Sequence, residues 1–200
     1  MSDAPPIVVG ITGASGAPYA VRLLQQLVGA HRSVSLIVSK YGLRLLETES
    51  GIGSIEALRN AVGKDGWDSC VQTFSNEDRG AAPASGSALT AGMIVCPCSM
   101  GTLSAIAVGA SRSLIERAAD VTLKERRKLI LVPRETPLSA IHIGNMLRLT
   151  RAGAVVMPAS PGFYHRPKQI SELVDFVVAR MLDHLGVEQS LVKRWDAEQN

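Results

Sequence analysis

Arg117 and Lys124 lie seven residues apart in a charged segment that begins at Leu114 and runs into the apolar stretch Leu129-Ile-Leu-Val132. On a helix that spacing puts both cations on one face, two turns from each other. Beyond the apolar stretch stand Arg134 and Glu135, held between Pro133 and Pro137. Two cations on one face, with a third past the strand, suit a phosphate better than they suit a core. The bland alternative is a solvated helix face, with Glu116 and Asp120 close enough to pair with the cations. Arg134 is harder to set aside, because ligands collect at the C-terminal ends of strands in open α/β sheets. Glu135 and Glu49 are candidate proton handlers, although Glu49 reads more simply as an exposed carboxylate at a helix end.

Two further segments pair glycine with hydroxyls where a strand meets a helix. In Gly10-Ile-Thr-Gly-Ala-Ser-Gly16 the glycines allow close backbone approach, and free amides at a helix start attract an anion. The spacing differs from the Gly-x-Gly-x-x-Gly dinucleotide fingerprint, so nucleotide binding and a plain tight turn capped by Ser15 both remain open. Cys98-Ser-Met-Gly-Thr102 repeats the arrangement, with capping by Ser99 as the alternative, and Ser39 adds a third hydroxyl on the same edge. Tyr164, in Pro161-Gly-Phe-Tyr-His-Arg-Pro167, can donate to a phosphate or be a packed loop aromatic. Arg180 sits on a long helix one turn after Phe176. His31, His142, His165 and His184 lack metal-ligand spacing and read as surface or capping residues. Cys70, Cys96 and Cys98 form no disulfide framework, and Cys96-Pro97-Cys98 reads as thiols at the end of a buried strand.

The elements that must position these groups alternate. Strands are predicted at Ile7–Ile11, Val34–Val38, Met93–Cys96 (ended by Pro97), Leu129–Val132 and Ala154–Met157, with a weaker one at Val71–Phe74. Helices are predicted at Ala17–Val28, Lys40–Thr48, Ser54–Val62, Met100–Val108, Leu114–Arg127, Ser139–Ala152 and Ile170–Leu185. Ala81-Ala-Pro-Ala-Ser-Gly-Ser87 reads as a flexible loop. Strands joined by crossover helices imply a parallel sheet. The expected architecture is one three-layer α/β domain over residues 1–200, with a tail from about 186 that docks on a neighbouring subunit or frays. An apolar share of 46% fills a real core, and a net charge of +3, without basic runs interleaved with aromatics, speaks against nucleic acid. No stretch nears the roughly 18 apolar residues of a membrane span. The start, Met-Ser-Asp-Ala-Pro-Pro, lacks a secretory pattern, so a cytoplasmic location is expected.

Taken together, Gly10 to Gly16, Cys96 to Ser104, Leu114 to Glu125, Arg134-Glu-Thr-Pro137 and Pro161-Gly-Phe-Tyr164 resemble the flavin prenyltransferases of the UbiX/Pad type, from about Ile7 to Trp195. The resemblance implies a Rossmann-like or flavodoxin-like flavoprotein fold. It implies transfer of a dimethylallyl group from its monophosphate to N5 and C6 of reduced FMN, without a metal. The prenylated FMN would serve a UbiD-type decarboxylase, and the assembly would be a homo-dodecamer with sites at subunit contacts. By motif, Gly13, Ala14, Ser15, Ser39, Ser99, Met100, Gly101, Thr102 and Arg134 would hold FMN. Arg117, Lys124, Tyr164, Arg180 and Trp195 would hold the prenyl phosphate or close over it. Ser15, Glu49, Lys124 and Glu135 would take part in the chemistry. One departure is visible: Asp78-Arg79-Gly80 stands where some members carry a Trp that lines the prenyl pocket. Chemistry agrees with the resemblance in that the chain has no Asp-Asp pair of the kind that holds Mg²⁺ in diphosphate-using prenyl enzymes, while its cations suit a departing monophosphate. Competing readings are an FMN-dependent decarboxylase, acting on aromatic acids or on cysteine-containing substrates, and a non-catalytic FMN carrier. The cysteine decarboxylases rely on a His and an Asn-rich motif that this chain lacks in the corresponding loops.

Overall fold

The computed structural model describes residues 4–192, so Trp195 and the end of the tail lie outside the described residues. Ile7–Ile11 (β1) is buried at every position, as a strand covered on both faces must be. With it, Val34–Val38 (β2), Val71–Ser75 (β3), Gly92–Cys98 (β4), Leu129–Pro133 (β5) and Val155–Val156 (β6) form one six-stranded sheet. Every pairing is parallel and the order is β3-β2-β1-β4-β5-β6. The three-layer α/β architecture with a central parallel sheet is therefore present. The order reverses between β1 and β4, where doubly wound sheets open a crevice at their C-terminal edge.

The pleat of β1 divides the core. Ile7, Val9 and Ile11 pack with Ala17–Gly29 (α1) and Ile170–Leu185 (α8) on one face. Val8 packs with Met100–Ala107 (α5), Leu114–Lys124 (α6) and Leu149 of Ala140–Arg151 (α7) on the other. Leu23, Leu24 and Leu27 of α1 are fully buried, each contributing about 1.5–3 kcal/mol relative to exposure. Arg22 of α1 and Asp175 of α8 add an ion pair at 2.6 Å across the two helices. Lys40–Ser50 (α2), Ile55–Val62 (α3) and Lys64–Cys70 (α4) connect β2 to β3. Among the described residues, no helix is long and apolar enough to cross a membrane.

Several local expectations give way to tertiary structure. Pro97 does not end its strand: β4 continues to Cys98, and its register with β5 shifts between Val95 and Cys98. A residue without an N–H is tolerated at such an irregularity. Helix α6 stops at Lys124 rather than Arg127, and Arg126 already has a φ of 57°. Arg127 thereby turns away and donates from Nη1 and Nη2 to the carbonyls of Ala88 and Gly86, each at 2.7 Å. This guanidinium straps down the segment expected to be a flexible loop, where Ala82–Ala84 forms a 3₁₀ turn with Pro83 and Ala84 buried. Helix α4 carries a mid-helix glycine and shows no helical periodicity. It forms because Trp67 is buried and because Gly66 admits Val28, whose Cγ1 would lie 2.5 Å from a Cβ there. Packing outweighs propensity at this position.

Candidate active site

The loops after β1 and β4 meet where the strand order reverses, and Thr12 clasps them. Its Oγ1 donates to the Pro97 carbonyl at 2.9 Å and accepts from the Ser99 amide at 2.8 Å. Its own amide also donates to Pro97 O, at 3.2 Å. Thr12 is buried, so these bonds form away from competing water. A cleft of about 220 Å³ opens beside this clasp. Thr12, Ser39, Ser99, Thr102 and Ser113 line it with hydroxyls, and Asn76 and Glu116 add an amide and a carboxylate.

Most of these hydroxyls also cap helices. Ser39 Oγ accepts from Gly42 N at 3.0 Å, and Ser99 Oγ accepts from Thr102 N at 3.2 Å while bonding Thr102 Oγ1 at 3.0 Å. Capping and lining are thus one arrangement, because both helices begin at the sheet edge where a ligand sits. Met100, by contrast, buries its side chain in the core and does not line the cleft.

The start of α1 differs from the sequence expectation. Gly16, with a φ of 126°, is the cap residue, and Ser15 is not. The amides of Gly16 and Ala17 donate to Glu49 Oε2 at 2.8 and 2.9 Å. The anion at this helix N-terminus is therefore the protein's own carboxylate, and Glu49 is not a free helix-end acid. Partial burial works against its charge, but the two amides, the Ser15 hydroxyl and the Arg134 charge outweigh that and hold its carboxyl below the usual range. Arg134, at the end of β5, reaches across with Nε 3.4 Å from Ser15 O. Gly13, Ala14, Ser15, Ser39, Glu49, Ser99 to Thr102 and Arg134 are in this way gathered at one edge of the sheet. Glu135 lies exposed beyond Arg134, its carboxylate accepting from the Thr136 amide at 3.1 Å.

The remaining cations have partners of their own, and Lys124 and Arg180 lie away from this cleft. Arg117 pairs with Asp120 at 2.9 Å, and Lys124 pairs with Glu125. Glu116 is taken by Arg112, whose backbone amide donates to it at 2.7 Å, so it pairs with neither Arg117 nor Lys124. Lys124 Nζ lies 2.8 Å from where a Cβ on Gly86 would stand, against the segment that leads into β4. That is the opposite end of a seven-residue strand from Ser99, about 20 Å away at ~3.3 Å per residue. Tyr164 and Arg180 share a separate cavity of about 700 Å³ on the α8 side. There the Tyr164 ring stands edge-on to Phe176 at 5.7 Å, and Arg180 Nη1 lies 3.0 Å from Asp183 Oδ2. Helices α6 and α8 cover opposite faces of the sheet, so one protomer does not join Arg117 and Lys124 to Tyr164 and Arg180.

Six lining residues escaped the sequence reading as site residues: Thr12, Tyr41, Asn76, Ser113, Ile115 and Glu116. Asn76 Oδ1 accepts from Ile115 N at 3.2 Å, and its carbonyl accepts from Leu114 N at 2.8 Å, which seats α6 against the end of β3. Only Thr12 carried a usable signal, as a small polar residue directly after a buried strand. Cys96 and Cys98 are buried thiols beneath the cleft. Burial raises both, and Cys98 is pushed up to about 12. Among the described residues, no three His, Cys, Asp or Glu side chains cluster as metal ligands.

Comparison with known proteins agrees with this geometry. The Flavoprotein family model matches residues 1–182. The chain is 48% identical to the flavin prenyltransferase UbiX of Pseudomonas aeruginosa over 201 aligned positions, covering 98% of this chain and 96% of that protein. The chain belongs to the UbiX flavin prenyltransferase family. Among solved members, it is similar to AnUbiX in complex with FMN and dimethylallyl pyrophosphate, with a TM-score of 0.89 and 40% identity over 97% of this chain and 98% of that one. It is also similar to a dodecameric FMN-dependent UbiX-like decarboxylase from Escherichia coli O157:H7, with a TM-score of 0.88 and 42% identity over 96% of this chain and all of that one.

Proposed function

We propose that this chain transfers a dimethylallyl group from dimethylallyl monophosphate to reduced FMN and releases prenylated FMN to a UbiD-type decarboxylase. The observation that carries the reading is the hydroxyl-lined cleft at the strand-order reversal, with Glu49 bonded to the start of α1 and Arg134 to Ser15 at the same edge of the sheet. Hydroxyls and amides suit the ribityl chain and ring edge of a flavin. A solved relative in complex with FMN and dimethylallyl pyrophosphate supports a flavin and a dimethylallyl phosphate ester as the ligands.

Reduced FMN supplies the nucleophilic N5 and C6 to which the dimethylallyl carbons become bonded. Gly13, Ala14, Ser15, Ser39, Ser99 to Thr102 and Arg134 hold and orient it. Arg117, Lys124 and Arg180 neutralise the phosphate as the allylic carbon–oxygen bond breaks, and Tyr164 donates a hydrogen bond to it. These fixed charges take the part that a divalent cation plays elsewhere, and the transfer proceeds without a metal. Glu49, held as a carboxylate, accepts the proton that leaves N5, with Glu135 close by.

Because Lys124 and Arg180 lie on opposite faces of one protomer, the complete site combines residues from several copies. Helix α7 offers a surface for this: Leu149 is its one buried residue, while Ile141, Ile143 and Leu147 stand exposed. A face of that kind is ordinarily covered, and a dodecameric relative supports assembly of copies. The reading is tested by mass spectrometry of flavin extracted after incubating the chain with reduced FMN and dimethylallyl monophosphate. A flavin heavier by one isoprene unit is expected. Unmodified FMN supports the carrier reading, and carbon dioxide release from an aromatic acid without a partner enzyme supports the decarboxylase reading.

A further inference from the structure

Tyr41 lines the flavin cleft, yet it is 66% exposed. Its position is built by the backbone around it. Tyr41 is the second residue of α2, in the first turn of a helix that Ser39 caps. Two glycines allow that first turn to press against the end of β1. A Cβ on Gly13 would lie 2.5 Å from Tyr41 Cβ, and a Cβ on Gly42 would lie 2.5 Å from Ile11 O. Neither approach is open to a residue with a side chain, so both positions depend on glycine. Ser39 N donates to Ile11 O at 2.9 Å, and this bond fixes the turn. The tyrosine is therefore gripped at its stem while its ring stays bare, beside Ser39, Asn76 and Thr102. No other aromatic side chain among the described residues lines this cleft. A large ring standing in water at the rim of a ligand cleft gains by covering a flat partner.

We propose that Tyr41 stacks on the isoalloxazine of bound FMN and forms the aromatic wall of the flavin site. The proposal rests on the reading that the cleft takes FMN, and it adds a residue to that site. Oxidised FMN titrated into the full chain and followed by flavin emission tests both separately, because an electron-rich phenol in contact with a flavin quenches its fluorescence by electron transfer. Tyr41→Phe keeps the affinity, since the stacking face remains, and loses most of the quenching, since the phenyl ring is a poor electron donor. Tyr41→Ala weakens binding about tenfold, about 1.4 kcal/mol, and the bound flavin becomes brighter. Tyr41→Leu restores part of the affinity through apolar cover and none of the quenching. Unchanged affinity and emission in Tyr41→Ala, with the parent's circular dichroism, overturns the assignment and leaves the FMN reading standing. Failure of the unsubstituted chain to bind FMN overturns both.

Discussion

Replacing Glu49 by glutamine removes one negative charge and keeps the length and shape of the side chain. The carboxylate accepts two amide hydrogen bonds at the start of α1, at 2.8 and 2.9 Å. A charged acceptor there gains from the helix dipole and from charge-assisted bonds, and the neutral amide keeps only the weaker part. The expected loss is about 1 kcal/mol at neutral pH, which for a chain of this size lowers Tm by about 2–4 °C. The folded-state pKa of Glu49 lies below its unfolded value, so its stabilisation is present in full above the unfolded pKa near 4.5 and is lost as pH falls through the folded-state value. The gap between parent and Glu49→Gln in urea denaturation should therefore be open at pH 7 and close on acidification. Turnover separates the two roles assigned to this residue. A proton acceptor at N5 predicts a fall in kcat of about 10²-fold or more, far beyond what a 1 kcal/mol loss of stability can cause in a folded enzyme. Normal turnover in a folded Glu49→Gln variant leaves Glu49 as a helix cap alone. A stability gap that persists unchanged at low pH refutes the electrostatic reasoning as well.

Thr12→Val preserves shape and breaks the clasp between the β1 and β4 loops, leaving the Ser99 amide and one Pro97 lone pair without their partner. A cost of about 1–3 kcal/mol is expected in urea denaturation, together with weaker FMN binding by fluorescence titration. Lys124→Ala and Arg180→Ala should each be inactive in prenyl transfer, yet chains of the two variants unfolded, mixed in equal amounts and refolded together should recover activity. Random assembly places both native residues in about a quarter of the sites, and complete absence of recovery refutes a site shared between copies. Prenyl transfer should be unaffected by a chelator such as EDTA, and loss of activity restored by a divalent cation refutes the proposal that fixed side-chain charges carry the phosphate.

The sheet and most of its crossover helices were legible because burial leaves a local trace. Continuous apolar runs mark the central strands, and glycine with hydroxyls marks the turns at their ends. Helix α4 left no such trace, since it depends on the burial of Trp67 and on Gly66 meeting Val28 of a separate element. The strap from Arg127 to Gly86 and Ala88 depends likewise on segments about 40 residues apart that only the fold brings together. At the site, the loops after β1 and β4 were readable from their own residues. The pairing of Glu49 with the start of α1 was not, because its two sides are 33 residues apart and share no pattern. Asn76, Ser113 and Glu116 were missed for the same reason: each is ordinary in its own segment and becomes part of a cleft only when α6 is seated against β3.

The two cysteines under the cleft bear on life with a reduced flavin. Such a cofactor leaks hydrogen peroxide whenever oxygen reaches it, and peroxide attacks the ionised form of sulfur. With burial raising both thiols, Cys98 to about 12, very little of that form is present at neutral pH. Sealed in β4 and kept protonated, these sulfurs can sit next to a source of oxidant without being consumed by it.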